Sequence, residues 1–467
     1  MRARALRHAL AVVLAPAVWL APAAARANEA DTYGLGSRSA ALGGAVAADA
    51  TDFSANYYNP AALVGARGPS LSIGYVYAHN HLTTNGQDNG AADVHGIVGG
   101  LALPGTFFGV PFAFGVGLYM PDTGLSQVVA LRQEVPRWAL YGESSSIVFI
   151  AANLAVRPVS WLELGGGVAF LAATKGSFQI TGTLSNPNLY DSQLQHEVDA
   201  DLSAVRYPQV GARFKVPGFG YLAAVYRGET KLDLQLTAHL KGTFDDTTLG
   251  LKVPLTYDLT TKTADAFLPQ QFVLGASFQR VPRLTVNLDF VFVNWAAYES
   301  PTAVTTANLN VTLPPDLPPG TVALPPSPKP VTVIPPGFQN RLVPHLGVEY
   351  VFPVAGGYRH LEGDPIERRA LEIPVRAGYV YERTPVPPQT GTTNYIDTDR
   401  HTVSLGTGLT LNAPGSVLKG SLTLDVHGAL SVLPERVTLK QSPADFVGDY
   451  TASGTMLTLG TTLTAVF

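Results

Sequence analysis

Apolar and polar residues alternate strictly along the last stretch of the chain. In "TMLTLGTTLTAVF", Leu457, Leu459, Leu463, Ala465 and Phe467 interleave with Thr458, Gly460, Thr462 and Thr464. A period of two places apolar side chains on one face of a strand and small polar ones on the other. A soluble sandwich with one wet face would alternate in the same way; the terminal phenylalanine favours a membrane barrel. Segments of about ten or more such residues, the length of a tilted membrane-crossing strand, recur backwards through the sequence. They predict strands over 70–79, 93–104, 111–120, 140–157, 159–180, 203–217, 220–232, 270–281, 284–298, 341–352, 370–382, 400–412, 418–432 and 455–467.

The connections between these fourteen segments alternate in length. "LPGTFFGV", "RPVS", "VPGFG", "VPR" and "NAPGSV" are tight turns, whereas 80–92, 121–139, 181–202, 233–269, 299–340, 383–399 and 433–454 are long. Short inner turns and long outer loops are the topology of an outer-membrane barrel, and an even count leaves both ends on the inner side. Residues 353–369, "PVAGGYRHLEGDPIERR", break the rule by being long and charged. Residues 233–262 also alternate and are expected to extend the adjoining wall strands above the membrane. The 299–340 connection is proline-rich, which excludes a central strand and favours an extended, exposed loop.

Composition sharpens this picture. Only 14% of residues are charged, with 46 glycines and 36 prolines, a balance suited to many strands and turns. The first 27 residues read as an export signal: Arg2, Arg4 and Arg7 precede an apolar stretch, and Ala25-Arg26-Ala27 offers small residues for cleavage. Removing Arg2, Arg4, Arg7 and Arg26 from the 31 Lys and Arg leaves 27 against 35 Asp and Glu, near −8, which argues against a nucleic-acid partner. There is no cysteine, and no later stretch reaches the about 18 uninterrupted apolar residues of a membrane helix. A closed barrel is the other way to satisfy every backbone group in lipid.

Residues 28–69 precede the first strand and cannot belong to the wall. "SAALGGAVAADA" is rich in small residues at helical spacing, and Asn59-Pro60 marks a turn. Such a segment can fill a barrel too wide for side chains alone; a periplasmic extension reads equally well from composition. The stretch "GLGSRSAALGGAVAADATDFSANYYNPAAL" (34–63) resembles the amino-terminal signature of the long-chain fatty-acid transporter family, to which toluene and xylene transporters also belong. The resemblance continues through "LPQQFVLGASFQRVPRLTVNLDFVFVNW" (268–295) and "PVRAGYVYERTPVPPQTGTTNYIDTDRHTVSLGTGL" (374–409).

That resemblance implies an all-β, fourteen-stranded transmembrane barrel (70–467) closed by an amino-terminal hatch. It also implies a passively transported hydrophobic ligand and lateral exit through a kink in the wall. Asn59, Pro60 and Ala61 carry over from the hatch motif; Gly115 and Gly117 are the candidate kink, because glycine weakens a ladder. Alternation places Asn287, Asp289, His345, Glu349, Glu372, Arg376, Asp425 and His427 in the lumen, with Arg213 and Lys215 beside them, either as a structural ion-pair network or with Arg376 or Arg213 receiving a fatty-acid carboxylate. Trp138, Tyr141, Trp161, Tyr221, Trp295 and Tyr298 are expected in the aromatic girdles at the membrane interfaces. His79 and His81 read as a solvated pair in an outer loop. No catalytic or metal motif is present, so a non-enzymatic, cofactor-free, monomeric barrel in outer-membrane lipid is expected. Monoaromatic hydrocarbon uptake, a general porin, and a surface adhesin or antigen are the competing readings.

Overall fold

The computed structural model describes residues 29–122, 136–138, 140–141, 148–171, 176–183, 193–202, 205–246, 251–298, 304–311, 334–359, 361, 368–414 and 419–467. The predicted signal segment and the heart of the proline-rich loop lie outside these residues. Fourteen strands form the wall. They are β1 Ser70–Thr84, β2 Val94–Phe107, β3 Val110–Pro121, β4 Phe149–Val159, β5 Leu162–Leu171, β6 Val205–Val216 and β7 Gly220–Arg227. The second half comprises β8 Gln271–Phe278, β9 Leu284–Val293, β10 Arg341–Arg359, β11 Arg368–Glu382, β12 Arg400–Asn412, β13 Ser421–Thr438 and β14 Tyr450–Val466. Each strand pairs antiparallel with its neighbours in sequence. The barrel closes where β1 meets β14, in register from Ser70↔Val466 to Thr84↔Ala452. Closure leaves no free wall edge.

The period of two sorts side chains as the sequence predicts. Leu288, Phe290 and Phe292 of β9 are exposed on the outer face, while Asn287 and Asp289 are buried in the lumen. Leu342, Leu346 and Tyr350 face outward on β10, as do Val403, Leu405 and Leu409 on β12. Arg213 is buried as expected, but Lys215, two residues on and close to the inner turn, is exposed.

Several expectations need correction. Residues 233–262 do not extend the wall: Thr230–Asp246 and Leu251–Leu268 form a separate five-stranded antiparallel sheet with Gly176–Thr183, Gln193–Leu202 and Val304–Val311. Three outer loops build it, each supplying backbone partners that the others' edges need. The predicted strand 159–180 is therefore two strands in two sheets, and the wall part of 140–157 begins at Phe149. Trp138, Tyr141, Trp295 and Tyr298 are not girdle residues, since all are buried. Trp295 and Tyr298 pack with Phe267, Phe338 and Tyr395 inside the outer loops. The exception to the short-turn rule, 353–369, is a hairpin that carries β10 to Arg359 and starts β11 at Arg368, with register irregularities after Pro353.

The lipid face makes a direct prediction. Leu405→Arg should cost about 2–4 kcal/mol of barrel stability, the value for a cation near mid-membrane, in urea unfolding from lipid vesicles. A cost below about 0.5 kcal/mol, the range of an ordinary surface site, would contradict the assignment of that face.

Candidate functional site: the lumen and its plug

Fourteen strands enclose more space than their own side chains fill, and residues 29–69 occupy it. Short helices at Glu29–Thr32, Ser37–Ala41 and Ala55–Tyr58 and a 3-10 turn at Pro60–Gly65 make up the segment. The helical spacing of "SAALGGAVAADA" gives one helical turn only, because Gly43 and Gly44 have φ of +61° and +73° and redirect the chain. Asn59 accepts from Ala61 N at 3.0 Å, which starts the 3-10 turn with Pro60 at its first position. Its Nδ2 donates to Ala47 O at 2.7 Å, tying the two halves of the plug together. Asn59 and Ala61 are fully buried.

The plug docks backbone against wall, and the wall is glycine where it does so. A Cβ on Gly211 would stand 2.0 Å from Asn59 Oδ1, and one on Gly165 would stand 2.4 Å from Ala61 N. Across the lumen, a Cβ on Gly378 would stand 2.2 Å from Gly43 N. Polar wall residues complete the seat. Gln209 and Asn153 donate to Asn56 O at 2.5 and 3.1 Å, Asp289 accepts from Ala47 N at 2.8 Å, and His345 Nδ1 lies 2.7 Å from Gly43 O. Since a carbonyl only accepts, that nitrogen of His345 carries a proton.

Gly115 and Gly117 belong to this seat. Ladder pairs run unbroken through both, to Ala102 and Gly100 on one side and to Asn153 and Ala151 on the other. Cβ atoms there would meet the Asn56 side chain at 2.5 and 2.9 Å. The wall ladder is interrupted elsewhere: between β11 and β12 pairing passes from Glu372↔Thr410 to Val375↔Thr407 and omits Ile373 and Pro374. Proline has no amide to give to that ladder.

Four buried lumenal glutamates are each held by two arginines. Glu349 takes Arg38 of the plug through Nε at 3.2 Å and Nη2 at 3.0 Å, and also Arg376 of the wall, whose Nη1 reaches Asp425 at 2.6 Å. Glu163 sits between Arg157 at 2.6 Å and Arg213 at 3.1 Å. Glu382 joins Arg341 and Arg400, and Glu372 joins Arg283 and Arg368. Both arginines singled out by sequence for a ligand carboxylate therefore already hold protein carboxylates. Arg213 also lies 3.8 Å over the Tyr221 ring.

Arg227, which the sequence reading passed over, differs. It is buried at the end of β7, donates through Nε to Gln271 at 2.8 Å and through Nη1 to Tyr57 O at 3.1 Å, and has no carboxylate at ion-pair distance among the described residues. It lines a cavity of about 60 Å³ between the plug and β7–β14, together with Asp31, Asp289, His345, Val273, Val291 and Val380. Tyr57 and Tyr58 of the plug stay protonated donors beside it. Burial pushes the Tyr58 phenol up to about 12, and burial with the neighbouring Asp31 carboxylate holds Tyr57 well above its ordinary value. Alternation of Ala223, Val225 and Arg227 toward the lumen was the signal that would have found it.

Residues 14–314 match the family model described as outer membrane protein transport protein (OMPP1/FadL/TodX). No curated protein matches the chain in sequence. Among solved structures, a Pseudomonas aeruginosa FadL homologue aligns over 96% of this chain and 100% of its own, with 15% identity and a TM-score of 0.56. The CymD monoaromatic hydrocarbon channel aligns over 93% and 97%, with 16% identity and a TM-score of 0.53. The Pseudomonas putida toluene transporter TodX aligns over 92% and 98%, with 16% identity and a TM-score of 0.50. At these identities the likeness is one of fold.

The Arg38–Glu349–Arg376 bridge should fasten the plug. Glu349→Gln leaves two buried guanidiniums sharing one fewer charge and should cost about 3–5 kcal/mol. The expected readout is enlarged conductance steps in planar bilayers; steps unchanged from the parent would show that the bridge does not hold the plug.

Proposed function

The chain belongs to the OMPP1/FadL/TodX family of outer-membrane transport proteins, and from that membership we propose that its cargo is long-chain fatty acid. It is an outer-membrane β-barrel of a family that transports hydrophobic small molecules. The observation that carries the finer reading is Arg227, a buried guanidinium without an ion pair among the described residues, facing a pocket whose other walls include three valines. A guanidinium matches a carboxylate in two-pronged geometry, and valines suit the adjoining methylenes. The role assigned from sequence to Arg376 or Arg213 passes to Arg227, because theirs is taken.

In this reading Asn59, Pro60 and Ala61 form the hinge of the hatch. Ligand entering from the outer loops settles with its carboxylate on Arg227, and the hatch shifts off its glycine seat. The ligand then leaves sideways through the wall. The interruption at Ile373–Pro374, opposite Gly408 and Leu409, replaces Gly115 and Gly117 as the proposed exit. Transport runs down the ligand's own gradient, and no nucleotide or cofactor enters the cycle.

Uptake of labelled oleate and labelled toluene, in a host lacking its own transporter, tests the cargo. Oleate should be taken up, and Arg227→Gln should reduce its uptake by about tenfold, the worth of one charged hydrogen bond, while methyl oleate is little changed. Equal loss for acid and ester would remove the carboxylate role from Arg227. Toluene uptake without oleate would make the cargo an aromatic hydrocarbon.

A further inference from the structure

One local pattern of tyrosine, aspartate and histidine occurs twice on the outer surface. On β1, Tyr75-Val76-Tyr77 faces Asp93-Val94-His95 at the start of β2; on β11, Tyr379-Val380-Tyr381 faces Asp399-Arg400-His401 at the start of β12. The registers are the same, with the second tyrosine opposite the histidine: Tyr77↔His95 and Tyr381↔His401. The hydrogen bonds repeat as well. The second tyrosine donates to the aspartate, Tyr77 to Asp93 at 2.5 Å and Tyr381 to Asp399 at 2.8 Å. The first tyrosine meets the imidazole Nδ1, Tyr75 with His95 at 3.1 Å and Tyr379 with His401 at 2.9 Å. Ring planes follow, with Tyr75 and His95 tilted by 39° at 6.5 Å and Tyr379 and His401 by 34° at 6.4 Å.

Both clusters sit where the apolar outer face ends, toward the long loops. Below them β1 presents Leu71 and Ile73, and β12 presents Val403, Leu405, Leu409 and Leu411. The end of an outward apolar band marks the level of the headgroups in a membrane barrel. The first cluster is the larger: Asp122 also accepts from Tyr75 at 2.7 Å and pairs with His95, while His79 pairs with Asp93 at 2.7 Å and His81 with Asp88 at 2.9 Å. His79 and His81 are thus ordered members of the outer face of β1, not loop residues.

We propose that each cluster is a seat for the sugar headgroup of an outer-leaflet glycolipid. Tyrosines of an ordinary girdle offer free hydroxyls to whatever lipid passes. Here the hydroxyls are tied to the next strand, which fixes three tilted rings as a platform edged with carboxylate oxygens. Rings so held take the C–H face of a sugar, and carboxylates take its hydroxyl or amine donors in charge-assisted bonds. The carboxylates repel phosphate, so a plain phospholipid headgroup fits poorly. Four strand steps separate the two seats, roughly 19 Å, so each holds its own headgroup.

The test uses the full mature barrel in phosphatidylethanolamine–phosphatidylglycerol vesicles, with and without lipopolysaccharide. Lipopolysaccharide retained per barrel is measured for the parent and for Tyr77→Phe/Asp93→Asn/Tyr381→Phe/Asp399→Asn. Retention by the variant should weaken by about tenfold. Tyr77→Phe/Tyr381→Phe, which removes one hydroxyl at each seat, should show an intermediate loss and serves if the fourfold variant does not fold. Retention equal to the parent in either folded variant would reduce the clusters to a plain aromatic girdle. Displacement by phosphatidylglycerol as readily as by added lipopolysaccharide would make the recognised group a phosphate, and would overturn the proposal equally.

Discussion

The structure depends on the contact between two backbones. A fourteen-stranded wall leaves a lumen that side chains alone do not fill, and the chain fills it with its own residues 29–69. Side chains between plug and wall would hold them apart. Glycines at positions such as 165, 211 and 378 remove that obstacle, and Asn59 and Gly43 lie directly against them. Close approach lets short polar contacts such as Gln209 to Asn56 O and Asp289 to Ala47 N satisfy the plug's buried amides and carbonyls. Such a seat is specific in shape, and Leu42, Phe53 and Leu63 of the plug add buried apolar contact to it.

Charge does the complementary task. Each lumenal glutamate of the arginine pairs would be costly alone, and so would each arginine. Arranged as one carboxylate between two guanidiniums, they bind neighbouring strands to each other and, through Arg38, the plug to the wall. Arg227, with no carboxylate at ion-pair distance among the described residues, stands apart from these groups. In the proposed cycle, ligand capture draws on the same residue type as structural pairing.

Much of this was legible in the sequence, for physical reasons. Period-two alternation forces the face of every wall strand, since a misplaced charge would meet lipid; all fourteen strands were found, as were the lumenal Asn287, Asp289, Glu349 and Arg376. Ends were less legible. Outside the membrane no lipid enforces the pattern, so alternation in 233–262 served a separate sheet, and Trp295 and Tyr298 turned inward to pack with Phe338 and Tyr395. Glycine was ambiguous too. Gly115 and Gly117 read as a weak ladder but mark a close approach, because sequence does not say what stands opposite a missing side chain. Partners of charges were likewise invisible, so the sequence did not show that Arg376 holds Glu349 and Asp425.

In the proposed cycle the hatch must move for cargo to pass. The chain has no cysteine of its own, and Ser37 Oγ lies 3.1 Å from Thr462 Oγ1 across the plug–wall contact. Labelled oleate uptake by Ser37→Cys/Thr462→Cys, before and after reduction, is therefore the most direct measurement. Uptake that is blocked in the oxidised protein and restored by reductant is the predicted result. Full uptake with the disulfide intact would mean that cargo passes a fixed plug, and would contradict the hatch.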